Sequence, residues 1–441
     1  MAEEATVCED RISGLPDDLL VMILDLVPTK DAVATMFLSK RWLSIWTMVR
    51  RLEYKDSDDE SKKSVWWFLN KSLQLHKAPV INSLCMELGP QCPTSDDVDI
   101  GKWVAKAVDC LVDKLKIKLL WSAGPTRLPK SLFSCEYLVE LTLSGQILVD
   151  VPSSSSSYLP SLTDLQLNCV VYKDEDSLVS FLSSCPILDF LTVKREKDDN
   201  VKKFTVKVPS LCDFWYSCGR DDDVVDHTDR CLVVDAPAMS NFRIADFTGA
   251  SCNVEDMPCL ELAQLYVDSC HDDKFLTCFS SVLSLDMYLS DAMIMHCCNT
   301  TINFSRLLKL TIRPWGSDWL EPLLLLLGKA PKLKEFLVDY VGLFASQRYI
   351  YNNPEDLPFS WNQPSSVPEC LSSQLEIFEW IEYGDRVEEK EFLTYILANS
   401  KRLKTATISM NADLDIEEQE SIIEGLKDIP RVSTTCHLLI K

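Results

Sequence analysis

Residues 138–193 read LVELTLSGQILVDVPSSSSSYLPSLTDLQLNCVVYKDEDSLVSFLSSCPILDFLTV. Three times in this stretch an apolar residue is followed, three and five positions on, by two more: Leu138/Leu141/Leu143, Leu162/Leu165/Leu167 and Leu188/Leu191/Val193. The last two of each triplet are two residues apart, so in an extended chain they share one face. With 46% apolar residues a single match arises by chance roughly one time in ten, and only recurrence counts. It recurs on both sides, at Ile81/Leu84/Met86 and Val112/Leu115/Ile117 before, and at Leu211/Phe214/Tyr216, Met239/Phe242/Ile244, Leu262/Leu265/Val267, Val282/Leu285/Met287, Leu307/Leu310/Ile312 and Leu333/Phe336/Val338 after. Successive first positions lie 31, 26, 24, 26, 23, 28, 23, 20, 25 and 26 residues apart.

That interval is close to the roughly 20–29 residues of a leucine-rich repeat. Each unit is then a short strand followed by a helix or irregular turn. No unit buries its apolar face alone, so the units stack into a solenoid with parallel strands along the concave face. Pairs such as Leu159-Pro160, Cys185-Pro186, Val208-Pro209, Ala236-Pro237 and Ala330-Pro331 hold the chain extended ahead of several strands. Residues 175–184 and 318–329 have the composition of convex-side helices. Loops are expected at 153–157, 197–202 and 220–230, where Asp221 to Asp223 read as a solvated turn.

Strand residues between the buried ones face the concavity, where a partner would sit. Phe190, Trp215, Arg243, Tyr266, Asp286 and Lys309 are the target-binding candidates, the first four being of types that dominate interface hot spots. Two readings stand: these side chains form an interaction surface, or loops fold over them.

Residues 15–46, LPDDLLVMILDLVPTKDAVATMFLSKRWLSIW, have a different period. Pro16 suits a first helical turn and Asp17 and Asp18 oppose the helix dipole. Leu19, Leu20, Ile23, Leu24, Leu26 and Val27 follow until Pro28 stops the run. Ala32, Val33, Met36 and Phe37 suit a second short helix, and Ser39 can cap a third with Trp42, Ile45, Trp46 and Val49. Three helices in about 35 residues cannot bury that surface on themselves. Either the next domain or another chain covers them. After a polar stretch at 54–64, Val65 to Leu69 with Leu73 and Leu75 read as a helix at the start of the repeats.

At the other end, residues 342–370 are rich in Pro, Asn and Ser and break the period. Two further triplets, Leu375/Phe378/Trp380 and Leu403/Ala406/Ile408, are separated by a helical face of Phe392, Leu393, Ile396 and Leu397. An acidic helix at 413–428 and a strand at 432–440 follow.

The formal net charge of −23 argues against gripping nucleic acid, where Lys and Arg must neutralise phosphate. The acidic N-terminus is neither a signal nor a transit peptide, and no apolar block is long enough to span a bilayer, so no membrane role and a cytoplasmic or nuclear location are expected. The 18 cysteines are read as reduced packing residues. Cys252, Cys259, Cys270, His271, Cys278, His296, Cys297 and Cys298 lack the C-x-x-C spacing of a zinc site, and buried thiols are the preferred reading. The five histidines are scattered, and no nucleophile elbow, H-E-x-x-H pair, P-loop or dinucleotide fingerprint is present. No enzyme, metal or cofactor is expected.

The string Leu15-Pro16, Leu19-Leu20, Ile23-Leu24, Asp31 and Leu38-Ser39-Lys40-Arg41-Trp42 with Trp46 resembles the F-box. The irregular repeats resemble those of plant F-box proteins, and the tail resembles the FBD domain that ends many of them. The resemblance implies an α/β chain in five parts: a helical F-box (11–50), a linker with the helix leading into the solenoid (51–80), a leucine-rich-repeat solenoid of parallel strands (81–340), a connecting loop (341–370) and an α/β FBD cap (371–441). It implies that Leu15, Pro16, Leu19, Leu20, Ile23 and Leu24 face a Skp-type adaptor, with Trp42 and Trp46 shared between packing and interface. It also implies a non-catalytic substrate-recognition subunit, joined through that adaptor to cullin and RING subunits and presenting a protein target for ubiquitination. The alternatives are a binding scaffold without target degradation and a small-molecule receptor. A receptor needs clustered cations on the concave face, for which Arg243 and Lys309 alone look insufficient.

Overall fold

The computed structural model describes residues 12, 14–56, 65–89, 99–120, 124–151, 158–196, 199–218, 230–267, 275–289, 293, 302–314, 319–340, 364, 366–412 and 414–441. The expected loops at 153–157 and 220–229, with Asp221 to Asp223, lie outside these residues, as do Cys270, His271, His296, Cys297, Cys298 and most of 342–370. The chain forms two compact units, Met1–Val201 and Lys202–Lys441, and the division falls within the repeats.

The first unit opens with helices Asp17–Leu24, Thr29–Ala34 and Lys40–Ile45, the first two preceded by Pro16 and Pro28. Nine strands follow: β1 (Arg51–Lys55), β2 (Ser83–Leu88), β3 (Lys114–Leu119), β4 (Thr126–Arg127), β5 (Glu140–Gly145), β6 (Ile147–Val149), β7 (Asp164–Asn168), β8 (Val171–Tyr172) and β9 (Phe190–Arg195). The main sheet runs β1-β2-β3-β5-β7-β9 with every pair parallel; β4, β6 and β8 form a second, short parallel sheet. Strand residues alternate in burial, and Leu84, Met86, Leu115, Ile117, Leu141, Leu143, Leu165 and Leu167 line the core. Helices Val65–Leu75, Ile100–Asp109 and Glu175–Ser183 also belong to this unit. Asp174 caps the last by accepting the Ser177 N–H at 2.7 Å.

The sheet starts earlier than expected. Residues 51–55 are its first strand instead of a linker, and Val49/Leu52/Tyr54, all buried, have the same triplet spacing. The repeat was hidden because its first apolar residue also ends the helical trio. The trio is held against this strand. The Asp25 carboxylate accepts the Arg50 N–H at 2.7 Å, Thr29 Oγ1 accepts the Glu53 N–H at 2.7 Å, and buried His76 donates from Nε2 to the Val49 carbonyl at 2.7 Å. Burial lowers the His76 pKa, which keeps the ring neutral for that bond.

The second unit has β10 (Lys203–Lys207), β11 (Asp213–Cys218), β12 (Cys231–Asp235), β13 (Asn241–Asp246), β14 (Ser251–Val254), β15 (Leu262–Val267), β16 (Ser284–Leu289), β17 (Lys309–Pro314), β18 (Glu335–Asp339), β19 (Ile377–Tyr383), β20 (Thr405–Met410) and β21 (His437–Ile440). Its main sheet runs β11-β13-β15-β16-β17-β18-β19-β20-β21, and β10-β12-β14 form a second short sheet. Several inter-strand segments expected to be irregular are therefore strands of a second layer. Leu320–Gly328 is a helix, as its composition predicts.

One repeat frame differs. In β15 Ala263 and Leu265 are fully buried, preceded by buried Leu260, with Tyr266 and Val267 buried further along, whereas Leu262 is half-buried. The register Phe242↔Ala263 and Ile244↔Leu265 confirms the triplet Leu260/Ala263/Leu265. Both frames satisfy the pattern; the larger side chains of Leu262/Leu265/Val267 favour the wrong one. Because the two differ by an even number of residues, Gln264 and Tyr266 keep their expected face.

The tail continues the same sheet. β18 pairs with β19, β19 with β20 and β20 with β21, all parallel. Helices Val387–Asn399 and Ile416–Lys427 connect the last strands, the second with an Asp415/Glu418 capping box. Trp380 is fully buried among Trp319, Tyr340, Tyr383 and Phe392, with ring centroids 5.4 to 6.3 Å away. Among the cysteines, Cys135, Cys185, Cys218 and Cys370 are buried as expected; Cys259 is exposed. The described residues contain no group of three potential metal ligands and no helix long and apolar enough to cross a membrane.

Candidate functional site

In an isolated helix Asp17–Leu24, nothing distinguishes Leu19 and Ile23 from Leu20 and Leu24; both pairs are i, i+4 neighbours. Packing separates them. Leu20 and Leu24 are buried with Trp42, Ile45 and Trp46, whereas Leu19 is 44% and Ile23 42% exposed. The eight adaptor candidates therefore divide. Leu15, half-buried, and Pro16, Leu19 and Ile23, exposed, present surface, while Leu20, Leu24, Trp42 and Trp46 form the support beneath. Arg41 fixes the start of the helix, with Nη2 2.6 Å and Nε 2.8 Å from Asp17 Oδ1 and a further bond from Nη2 to the Leu15 carbonyl. Met22, Leu26, Phe37, Leu38 and Leu43 are also exposed apolar residues of this region. Met22 lies on the first helix and Leu26 in the turn that follows it.

On the open face of the first unit's main sheet, Phe190 is 48% exposed. Lys114 pairs with Glu140, Lys116 with Glu87 at 2.6 Å and Lys55 with Glu53 at 2.5 Å. None of these lysines was a candidate, although each occupies an alternate position between buried apolar residues.

On the second unit, Trp215 is 47% exposed and the Arg243 guanidinium lies 5.8 Å from its ring centroid. Arg243 also pairs with Asp213, which fixes it against the tryptophan. Lys309 lies 3.6 Å from Glu335. Both cations thus have acidic partners, as the insufficiency of Arg243 and Lys309 for an anionic ligand anticipates.

Tyr266 is different. It is buried, with its ring 4.9 Å from that of Tyr288, and its hydroxyl donates to Asp286 at 2.7 Å. Arg313 donates from Nε to the same carboxylate at 3.0 Å and from Nη1 to Asp339 at 2.5 Å, and its guanidinium lies 5.5 Å from the Tyr266 ring centroid. Burial and the Asp286 charge raise the Tyr266 pKa and keep it a hydroxyl donor. Tyr266 and Asp286 are thereby tied into a largely buried network closed by a side chain of the neighbouring strand β17, where the sequence reading has a loop as the cover. Phe190 and Trp215 are exposed. Arg313 was missed because the triplet Leu307/Leu310/Ile312 stops one residue short of it; strand alternation from Lys309 through Thr311 leads to it.

Known proteins show the same three parts in the same order. Residues 12–54 match the F-box domain, residues 100–262 match the LRR repeats of an FBD-associated F-box protein, and residues 363–408 match the FBD domain. An FBD-associated F-box protein of Arabidopsis thaliana is 74% identical over 437 residues, which is 98% of either chain. Two F-box/FBD/LRR-repeat proteins of the same plant are each 47% identical, over 449 and 451 residues, covering 98% of this chain and 91% and 96% of theirs. The three domain matches in order, with this identity over nearly the whole length, place the chain in the plant F-box/FBD/LRR-repeat family.

Proposed function

We propose that this chain is the substrate-recognition subunit of an SCF-type cullin ubiquitin ligase. Its F-box holds the Skp-type adaptor, and through it the cullin and RING subunits, while the open faces of its sheets hold a protein target. The single observation that supports the adaptor role most is the outward apolar pair Leu19 and Ile23 on a helix whose opposite pair, Leu20 and Leu24, is buried. Exposed apolar surface that is rigidly backed binds a preformed partner with little ordering cost. For the target end, Trp215 braced by Arg243, and Phe190, have the size and exposure of hot-spot anchors. The subunit performs no bond chemistry; it raises the local concentration of target lysines near the ubiquitin-charged enzyme. We place it in the cytosol or nucleus, which a fluorescent fusion tests directly.

The adaptor reading is tested by co-purification of a Skp-type adaptor with the wild type and with Leu19→Asp/Ile23→Asp. Recovery is expected to fall at least about tenfold, because two carboxylates would be desolvated in an apolar contact. The melting temperature should stay within about 2 °C, since neither side chain is part of the core. Undiminished recovery by the well-folded variant sinks the assignment.

A further inference from the structure

The open face of the first unit's main sheet differs in charge from the molecule as a whole. In a chain of net charge −23, Lys118 and Lys194 lie on this face and form no salt bridge with a described residue, although Glu87 lies within the electrostatic reach of Lys118. They share one row across four strands, because the parallel register aligns Lys118 with Ser144, Ser144 with Asn168 and Asn168 with Lys194. Neither the Ser144 hydroxyl nor the Asn168 amide hydrogen-bonds to a described side chain, so the row has two ammonium groups at its ends and neutral donors between them.

The nearest carboxylates are Glu87, opposite Lys118 on β2 and already engaged by Lys116 at 2.6 Å, and Glu196, two residues beyond Lys194. The carboxylates of β5 and β7 lie at the other end of those strands, about 13 Å along, beyond the roughly 8 Å screening length at physiological salt. Around the row Lys116, Lys118 and Lys194 thus stand against Glu87 and Glu196, which leaves a local excess of one positive charge.

Three strand spacings of about 4.8 Å separate the Lys118 and Lys194 backbones by roughly 14 Å, and four residues of an extended peptide span nearly the same distance. Positions four apart in an extended peptide also share a face. We propose that this face binds an extended acidic segment of the target, with two carboxylates four residues apart meeting Lys118 and Lys194 and its backbone lying over Ser144 and Asn168. This rests on the reading of the repeats as the target-binding part and assigns the chemistry of the segment they take.

The probe is a fluorescein-labelled Ser/Thr/Gly peptide with two glutamates four residues apart, its anisotropy measured with the full chain at physiological salt. Controls are the same peptide with the glutamates three apart, which places them on opposite faces, and with lysines in their place. Binding of the first peptide alone is expected, weakened about tenfold by Lys118→Glu/Lys194→Glu and less by Lys118→Gln/Lys194→Gln. The glutamine pair guards against a variant that fails to fold. Equal affinity for wild type and both variants, equal affinity for the two glutamate spacings, or no binding overturns the proposal. Proximity labelling in cells with the same full-length variants and with Trp215→Ala separates the two levels. If Trp215→Ala loses target labelling while the lysine variants keep it, the repeats still bind the target and the acidic segment is refuted. If none of the variants changes labelling, the repeat-binding reading fails with it.

Discussion

Glu389 makes stability depend on pH in a direction opposite to that of most carboxylates. It lies in the first turn of helix Val387–Asn399, only 2% exposed, and its Oε2 accepts the Gly384 N–H at 2.9 Å and the Arg386 N–H at 3.2 Å. Burial raises its pKa from 4.5 to about 7, with the Gly384 N–H and the Arg386 charge pulling the other way. The folded state therefore holds a proton that the unfolded state has released between those values, so stability falls as pH rises through that window and levels off above it. At about 1.4 kcal/mol per pH unit the full effect is ~3 kcal/mol, of which ~2 kcal/mol develops between about pH 5.5 and 8, clear of the isoelectric point near 4.7. Glu389→Gln keeps an acceptor for both N–H groups and removes the titration. Amide hydrogen exchange of helix Val387–Asn399, compared between wild type and variant at each pH, reports the local free energy without treating the whole chain as two-state. The variant should gain ~2 kcal/mol on the wild type over that range. Parallel profiles, or a gap that closes as pH rises, would refute the reasoning.

Two further substitutions test the packing and the ion network. Leu165→Ala, at a fully buried ladder position of β7, should cost about 2–5 kcal/mol, read as lost exchange protection in β5, β7 and β9, because neighbouring repeats fill such a cavity poorly. Arg313→Met should cost about 3–5 kcal/mol by leaving Asp286 and Asp339 largely buried and unpaired, and adding Asp286→Asn and Asp339→Asn should recover much of the loss in thermal unfolding; no recovery would show that the arginine acts through packing.

Much of the solenoid is legible in the sequence because every repeat must solve the same burial problem in the same number of residues. Ile81, Leu115, Leu141, Leu165 and Phe336 can be assigned to the core by spacing alone, and each is buried. The failures occur where spacing permits two answers. Leu260/Ala263/Leu265 and Leu262/Leu265/Val267 both satisfy the pattern, and only pairing with β13 selects the first. Val49/Leu52/Tyr54 were obscured because the helical trio and the first repeat share Val49. The strands of the sheet β4-β6-β8 are two or three residues long, too short for a period to register, whereas β10 and β12 are five residues long and bury Phe204/Val206 and Leu232/Val234 in alternation that the sequence does display.

The interaction surfaces divide in the same way. Sequence alone determined that residues 15–46 form helices with more apolar surface than they can bury, and that alternate strand residues such as Phe190, Trp215 and Tyr266 each point away from the apolar ladder of their own strand; helical and extended periodicities are local properties of the chain. Only the tertiary structure decided that Leu19 and Ile23 stay in solvent while Leu20, Leu24, Trp42 and Trp46 do not, that Arg313 closes over Tyr266 and Asp286, and that Lys118 and Lys194 lie on one row without a salt bridge of their own. Those outcomes depend on what packs against each face and which charges meet across strands far apart in sequence, and periodicity along the chain has no information about either.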